Sequence, residues 1–236
     1  MLRVSGNFML NYFLSIFALL TLNSCNNSGV QTKSSIADTP KKVDIPFDKK
    51  VKENFETTEI DCDTVYFGKG YKLKLTKFDS INEDETKFNT VFSFQKRSNG
   101  QFSEIFRDSI FNKVQDVKFE DYNNDKIRDI LIQNYSDVRS NWTYYLYLID
   151  TTNDRLKKIN GFEEIKNPSY VSKYDLIDNY VVSGTNWTSF YKIKGDTILD
   201  FGIVIYADPS VDNDLKYDRN YKKAIKTILA REKNNR

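Results

Sequence analysis

The stretch Val114–Gln133, VQDVKFEDYNNDKIRDILIQ, indicates how this chain folds. Two mainly apolar runs, Val114–Phe119 and Ile127–Gln133, lie on either side of a loop rich in Asp and Asn. Valine, isoleucine and phenylalanine favour strands, whereas Asn-Asn-Asp favours a tight turn. We therefore expect two strands that pair across the loop.

Short strands and short turns recur along the chain on both sides of this stretch. In Tyr71–Leu75 apolar residues alternate with lysines, which is the period of a half-buried strand. Turn sequences such as Ser98–Gly100 and Gly195–Asp196 separate the segments. The other strand candidates are Asp61–Phe67, Thr90–Phe94, Phe102–Phe111, Trp142–Ile149, Leu156–Ile165, Tyr180–Ser183, Trp187–Ile193 and Thr197–Tyr206. The sequence predicts a mainly β fold over residues 55–236: a single antiparallel β-sandwich, barrel or propeller-like domain.

The C-terminal segment departs from this pattern and predicts a short helix. Apolar residues recur there at helical spacing, at Tyr221, Ala224, Ile225, Ile228 and Leu229. We expect this apolar stripe to dock the helix on the β domain. A frayed basic tail is the alternative, because lysines and arginines crowd the same segment.

The loop Asp121–Asp129 has the spacing of a cation site. Oxygen side chains at loop positions 1, 3, 5 and 9 are those of Asp121, Asn123, Asp125 and Asp129, and Ile127 would offer its backbone carbonyl. Carboxylates gathered at one bend repel one another unless a cation lies between them, and calcium accepts many oxygen ligands in flexible geometry. The loop is therefore a candidate calcium site. A metal-free polar turn is the alternative, because Asn-Asn-Asp forms turns unaided.

The N-terminal residues have the layout of a secretory signal. Arg3 precedes a mostly apolar run, Phe8–Leu22, that is shorter than the ~20 residues of a membrane-spanning helix. The sequence LNSC at Leu22–Cys25 resembles the lipobox of bacterial lipoproteins. The resemblance implies that residues 1–24 are a cleaved signal peptide and that Cys25 is lipidated, with palmitate among its acyl chains. An ordinary cleaved signal with a chance cysteine is the alternative.

The same resemblance implies a location in the cell. Asn26 follows the cysteine, where an aspartate would favour inner-membrane retention, so we expect an outer-membrane lipid anchor facing the periplasm. Residues 25–54 are rich in Asn, Ser, Thr and Lys, include Pro40 and Pro46, and have no sustained apolar period. Such a segment buries too little apolar surface to offset its ordering entropy, and it predicts a flexible tether.

The composition argues against several classes of function. The 35 basic and 33 acidic residues leave a formal net charge of +2, without the excess of basic residues that a nucleic-acid partner requires. The chain has no histidine, which removes Ser-His-Asp and Cys-His catalysis and the commonest zinc ligand. Cys62 is expected to be a buried, inert thiol. No other catalytic constellation stands out, so we do not expect an enzyme.

The strand–loop–strand segment resembles a known type of calcium loop. Val117–Ile132 is similar to the calcium loops of integrin-type FG-GAP and related repeats. The residues that match are Asp121, Asn123, Asp125 and Asp129. The chain departs from the motif at position 6, where Lys126 replaces the usual glycine. A left-handed backbone there costs about 1–2 kcal/mol, and the ammonium group competes for the same carboxylates.

The segment that follows resembles a group of small bacterial envelope proteins built around one such loop. The resemblance includes the aromatic strand Trp142–Asp150 and the pairs Gly161-Phe162 and Asn167-Pro168, and extends to about Asp200. Some members of this group are immunity proteins that block cell-wall hydrolases. The resemblance implies a lipid-tethered binding or inhibitor module whose partner is an envelope protein such as a cell-wall hydrolase.

A carbohydrate-binding or carbohydrate-active protein is the second hypothesis, and a structural envelope role is the third. Aromatic residues make up 14% of the chain, and both tryptophans lie in an echoed sequence, Ser140–Thr143 and Thr185–Thr188. We expect both rings to pack in the core, since large aromatics at strand starts usually do. The alternative is an exposed aromatic platform for sugar rings or for a protein partner.

Overall fold

The computed structural model describes residues 55–78, 88–208 and 215–234. The predicted signal peptide (residues 1–24), the lipidation site Cys25 and the tether (residues 25–54) lie outside the described residues. Within the described part, no helix combines the length and apolar character needed to cross a membrane.

Three antiparallel sheets of four strands follow one another along the described chain, each a meander in sequence order. The first sheet contains β1 (Phe55–Asp61), β2 (Tyr71–Phe78), β3 (Thr90–Ser98) and β4 (Gln101–Ile110). The second contains β5 (Val117–Glu120), β6 (Asp129–Ser136), β7 (Trp142–Asp150) and β8 (Arg155–Ile159). The third contains β9 (Pro168–Val171), β10 (Leu176–Asn179), β11 (Asn186–Lys194) and β12 (Thr197–Ala207). A 3-10 turn spans Phe162–Glu164, and the helix α1 spans Leu215–Asn234.

The second sheet lies between the other two and is covered on both faces. One apolar cluster joins Phe92 and Phe94 of the first sheet to Ile130 and Ile132 of β6. A second cluster joins Leu131, which lies between Ile130 and Ile132 in β6, to the third sheet. Because successive side chains of a strand point to opposite faces, β6 contributes to both clusters. This accounts for its unbroken apolar run, which is typical of a strand buried on both faces.

The helix α1 covers the outer face of the third sheet. Its buried residues Ala224, Ile225 and Ile228 pack against Phe190 and Ile205 of that sheet. The predicted mainly β fold with one C-terminal helix is confirmed: open sheets stack as in a sandwich and the helix closes one side. The helix extends over 20 residues and is longer than the apolar stripe alone indicated.

The strands predicted around the acidic loop are confirmed as a pair. Val117 lies opposite Ile132 and Glu120 lies opposite Asp129 in the antiparallel register. The predicted strand Asp61–Phe67 is wrong, since β1 ends at Asp61 and a loop follows. The reason is local side-chain bonding: the carboxylate of Asp63 accepts the amide of Gly70 and closes the loop at 3.0 Å.

Other strand boundaries were also misjudged. Leu156–Ile165 is a strand only as far as Ile159, because Gly161 takes a left-handed φ of 84° and opens the 3-10 turn. Tyr180–Ser183 provides only a single bridge, between Val181 and Trp187. The short strands β9 and β10 have too few residues to show a sequence period and were missed.

Candidate functional site

The acidic loop, Asp121–Asp129, connects β5 to β6 and is organised by side-chain oxygens. Asp121 Oδ1 accepts the backbone amides of Asn123 and Asn124 at 3.2 and 2.6 Å. Its Oδ2 atom accepts the amide of Lys126 at 3.0 Å. The carboxylate of Asp121 therefore accepts hydrogen bonds from the amides of three residues in the turn.

A second set of bonds continues the turn. Asn123 Oδ1 accepts the amide of Asp125 at 3.1 Å, and Asn123 Nδ2 donates to Asp125 Oδ2 at 2.9 Å. Asp125 Oδ1 accepts the amide of Ile127 at 2.7 Å. The structure thus brings the candidate ligands Asp121, Asn123 and Asp125 into one hydrogen-bonded turn, in which Ile127 takes part through its amide.

Asp129, the fourth candidate side chain, is fully buried at the start of β6. Its carboxylate accepts the amides of Tyr122 at 2.8 Å and Ile149 at 3.2 Å. Burial raises the pKa of Asp129 to about 7; the two amide bonds act against this shift, and the carboxylates of Asp125 and Asp121 add to it. The carboxylates of Asp121 and Asp125 therefore lie near enough to Asp129 to disfavour its charged form further.

The backbone at Lys126 has the conformation that the calcium-loop resemblance implies. Its φ is 74°, in the left-handed region, and the φ of Asn124 is 61°. Such a conformation costs a residue with a Cβ about 1–2 kcal/mol. The ammonium of Lys126 donates at 3.1 Å to Asn124 Oδ1, which is an amide oxygen and not a carboxylate.

The donor types of a calcium site are present, but their arrangement is only partly that of one. Asp121, Asn123 and Asp125 already accept amides of the loop itself, and Asp129 is directed to two amides at the core. Among the described residues, no three or more His, Cys, Asp or Glu side chains are grouped as a metal ion requires. Calcium binding stays a prediction.

Both tryptophans lie at the opposite end of β6 from the acidic loop, beside the space between the second and third sheets. Trp142 shares its strand face with Tyr144 and Leu146, which pack in the cluster between these sheets. Trp187 shares its strand face with Tyr191, which packs against the same cluster from the other side. Both rings therefore border one inter-sheet layer.

Neither ring is buried in that layer. Trp142 is 37% exposed and Trp187 is half-buried. The expectation that both tryptophans pack in the core is therefore wrong, because the layer ends before the strand starts that carry them. The flanking asparagines of the echoed sequence, Asn141 and Asn186, are the buried residues.

Apolar side chains of the strands and loops that carry the tryptophans, and of the neighbouring β12, make up a group that we call the aromatic rim. Trp187 lies opposite Tyr206 in the register of β11 and β12. The rim consists of Val138, Trp142, Val182, Trp187, Val204 and Tyr206. Five of its members are exposed, Val138 fully and Tyr206 by 62%. Sequence reasoning missed the contribution of β12; the available signal was the run IVIY at residues 203–206, which is apolar on both strand faces.

A network of hydrogen bonds beneath the rim joins three loops. Asp137 accepts both the amide and the side-chain Nδ2 of Asn141, and it accepts Lys166 Nζ at 3.0 Å. These bonds, led by that from the Asn141 side chain, hold the pKa of Asp137 well below its usual range. Asn141 in turn donates to the carbonyl of Val182 and accepts its amide, each at 2.9 Å.

The same network holds the strand that carries Trp142. Asn167 exchanges two bonds with the backbone of Trp142, at 2.8 and 2.7 Å, and its Nδ2 donates to Asn141 Oδ1 at 3.0 Å. The Asn186 side chain has the corresponding place at β11, where its Oδ1 accepts the amide of Ser183 at 3.0 Å. The segments that carry Val138, Trp142 and Val182 are thus held by buried or partly buried polar groups.

Cys62 is buried, and burial raises the pKa of its thiol to about 11. It therefore has the features of an inert thiol.

Comparison with known proteins found no match for this chain among protein-family models, curated proteins or solved structures. The likeness to calcium-loop envelope proteins thus depends on the residues of the loop and stays a prediction.

Proposed function

We propose that this protein is a lipid-anchored binding module of the bacterial envelope and that the aromatic rim holds another protein. The observation that supports this most directly is the exposure of Trp142, Val204 and Tyr206. The Asp137–Asn141 network holds the segment that carries Trp142. Exposed apolar patches rimmed by polar residues mark interaction sites, and aromatic residues are enriched in protein interfaces.

The valines of the rim favour a protein over a sugar as its ligand. Val138, Val182 and Val204 are exposed and have no group that could bond a hydroxyl. A sugar site combines an aromatic face with several polar side chains aimed at the ligand, whereas a protein interface has an apolar centre and a polar rim. The aromatic rim is therefore better suited to an apolar protein surface than to a sugar.

A cell-wall hydrolase of the envelope is the partner class that we propose. It comes from the resemblance of the loop segment to hydrolase-blocking immunity proteins. The absence of histidine from the chain supports a binding role over catalysis. A lipid tether would raise the effective concentration of the module near wall-associated partners.

Co-purification tests this proposal. The full-length protein and the variant Val204→Ser/Tyr206→Ser are used to retain proteins from solubilised envelopes, and each retained protein is identified, purified and titrated. We expect the double variant to bind its partner at least about tenfold more weakly, as for a truncated anchor of an interface. Phe88→Ser is the matched control, since Phe88 is 71% exposed and lies outside the rim.

A lysozyme-type inhibition assay extends the test to the partner class. Inhibition of a retained hydrolase by the wild-type protein, and its loss in the double variant, would support the inhibitor role. Retention of no specific protein, or equal retention by the rim variant, would contradict the proposed rim.

A carbohydrate-binding role is the second candidate, favoured by the finding that neither tryptophan is buried. Titration with soluble peptidoglycan fragments, followed by tryptophan fluorescence, tests it. A sugar platform predicts that Trp142→Ser abolishes the response while Val204→Ser leaves it unchanged. No fluorescence change in the wild-type protein would remove this candidate.

A further inference from the structure

The loop between β1 and β2, Cys62–Gly70, presents a phenylalanine directly to solvent. Phe67 is 94% exposed, whereas its neighbour Tyr66 is 4% exposed. Tyr66 OH donates to the backbone carbonyl of Arg128 at 2.7 Å and ties this loop to the acidic loop. Phe67 therefore lies on a loop that Tyr66 anchors, with nearly all of its side chain exposed.

Three cations line a pocket of about 420 Å³ beside this loop. They are Lys69, Lys126 and Arg128, and the other lining residues are neutral. Lys69 donates to the carbonyl of Thr151 at 2.9 Å, and Lys126 donates to an amide oxygen. No carboxylate of the described residues forms an ion pair with any of the three.

The nearby acids of the acidic loop are directed elsewhere. Asp121 accepts three amides of its own loop. Asp125 lines a separate groove, with Leu148 and Leu156. Asp125 therefore lines a different pocket from the cations Lys126 and Arg128.

We propose that Phe67 and this cationic pocket dock the domain directly on an anionic phospholipid surface. An aromatic side chain beside several cations is the combination that binds at the boundary between headgroups and acyl chains. The cations contact lipid phosphates while the ring of Phe67 enters the boundary region. A free phosphate ion would use the cations and leave Phe67 exposed, so the position of Phe67 favours a membrane surface.

Docking by this loop, Cys62–Gly70, which we call the docking loop, would add a second membrane contact to that of the proposed lipid anchor. Docking itself does not need the lipid, so the two proposals can fail separately.

Vesicle co-flotation tests the docking site. The chain from residue 25 onward with Cys25→Ser, which carries neither the lipid nor the apolar signal segment, is floated with phosphatidylcholine vesicles and with vesicles containing about one-third phosphatidylglycerol. We expect Phe67→Ser to lower the partition coefficient on anionic vesicles about tenfold. We expect Lys69→Gln/Lys126→Gln/Arg128→Gln to lower it by about a hundredfold, near fivefold for each cation.

Two matched controls separate docking from other causes. Lys222→Gln/Lys223→Gln/Lys226→Gln makes the same change in net charge at exposed positions of α1, and Phe88→Ser removes an exposed phenylalanine elsewhere. Both are expected to float like the parent protein. Equal losses in the α1 variant would mean that total charge causes the binding and would overturn the proposal.

The remaining outcomes also decide between sources of the anion. The proposal is overturned if the parent does not distinguish the two vesicle types. It is likewise overturned if inorganic phosphate abolishes flotation while Phe67→Ser has no effect, because the pocket would then be a free-anion site. Unchanged melting temperatures show that each variant is folded, as expected for substitutions at exposed positions.

Discussion

Asp129 carries a high electrostatic cost for a single side chain of this domain. Its carboxylate is fully buried and accepts two backbone amides. Its pKa is raised to about 7, chiefly by burial and in smaller part by the nearby carboxylates of Asp125 and Asp121. A divalent cation in the acidic loop would offset this cost, which is the physical basis for retaining the calcium prediction.

Asp125→Ala tests that prediction. We expect the variant to melt at a lower temperature than the wild-type protein in millimolar calcium and at nearly the same temperature in EDTA. The reason is that the substitution removes a candidate ligand, while the freed amide of Ile127 belongs to an exposed turn where water can replace the lost bond. Scanning calorimetry in the two buffers measures the difference.

Asp150→Ala is the control for this comparison. Asp150 also closes an exposed turn by accepting backbone amides, those of Thr152 and Asn153. It lacks the spacing of a calcium loop and should respond equally in both buffers. An equal loss for Asp125→Ala in calcium and in EDTA would show that the acidic loop is an ordinary polar turn.

Lys126→Gly is expected to stabilise the metal-free protein by up to about 1 kcal/mol. Glycine adopts the observed φ of 74° without a Cβ penalty, although its greater freedom in the unfolded chain offsets part of the gain. The substitution also removes the competing ammonium, so calcium affinity should increase. Urea denaturation and calorimetric calcium titration measure the two effects, and a less stable variant would show that Lys126 contributes more by contact than it costs by strain.

At the level of elements, α1 is held by more than its apolar stripe. Tyr221 OH donates to Asp178 Oδ2 of β10 at 2.5 Å, across the contact between helix and sheet. Burial raises the pKa of Asp178, and the bond from Tyr221 acts against that shift. The charged form of Asp178 therefore depends on the helix being docked.

Tyr221→Phe is expected to lower the free energy of unfolding by about 1–2 kcal/mol at neutral pH. A raised folded pKa means that the contribution of Asp178 to stability is fully present below its unfolded pKa and is lost as the pH rises through the folded value. Removing the donor raises the folded pKa further. The cost of the variant should therefore be larger at pH 8 than at pH 4, as measured by urea denaturation at both values.

The Asp178→Asn background supplies the control for this pH dependence. Without a titrating group at residue 178, the cost of Tyr221→Phe should no longer change with pH. A cost that keeps the same pH dependence in both backgrounds would place its origin in another residue.

The strands differ in how many of their faces are covered by other elements. Five successive residues of β6, from Asp129 to Gln133, are buried, whereas β1 is exposed or half-buried along its whole length. The acidic loop thus leads directly into one of the most covered strands, and the docking loop follows an exposed edge strand.

At the scale of the whole molecule, the stack of sheets predicts an order of local stability. We expect the amides of β6 and β7 to exchange hydrogen only through global unfolding and those of β1 to exchange through local opening, since local stability follows buried contacts. Hydrogen exchange followed by mass spectrometry measures this order. Equal protection of β1 and β6 would contradict the stacked arrangement as the source of stability.

The stack also determines where the candidate surfaces lie. The aromatic rim is where strands of the second and third sheets extend past their shared apolar layer, and the docking loop is where the first and second sheets are tied together by Tyr66 and Arg128. Each surface therefore combines segments that belong to two sheets or connect their strands. Neither surface is contiguous in the sequence.

Local chemistry was enough to predict the strand class, the C-terminal helix and the β5–β6 pair, because strand period, helical spacing and turn residues act over a few neighbours. The left-handed backbone at Lys126 was implied by the calcium-loop resemblance of the same short segment. The tertiary structure decided which apolar residues are covered. Trp142 and Trp187 are large aromatic residues of the kind that usually lies in a core, but they lie beyond the edge of the inter-sheet layer. It also decided that Asp129 is buried and that Lys69 lines the same pocket as Lys126 and Arg128. Burial and charge clustering depend on which distant strands pack together, and this information is absent from any single short stretch of the chain.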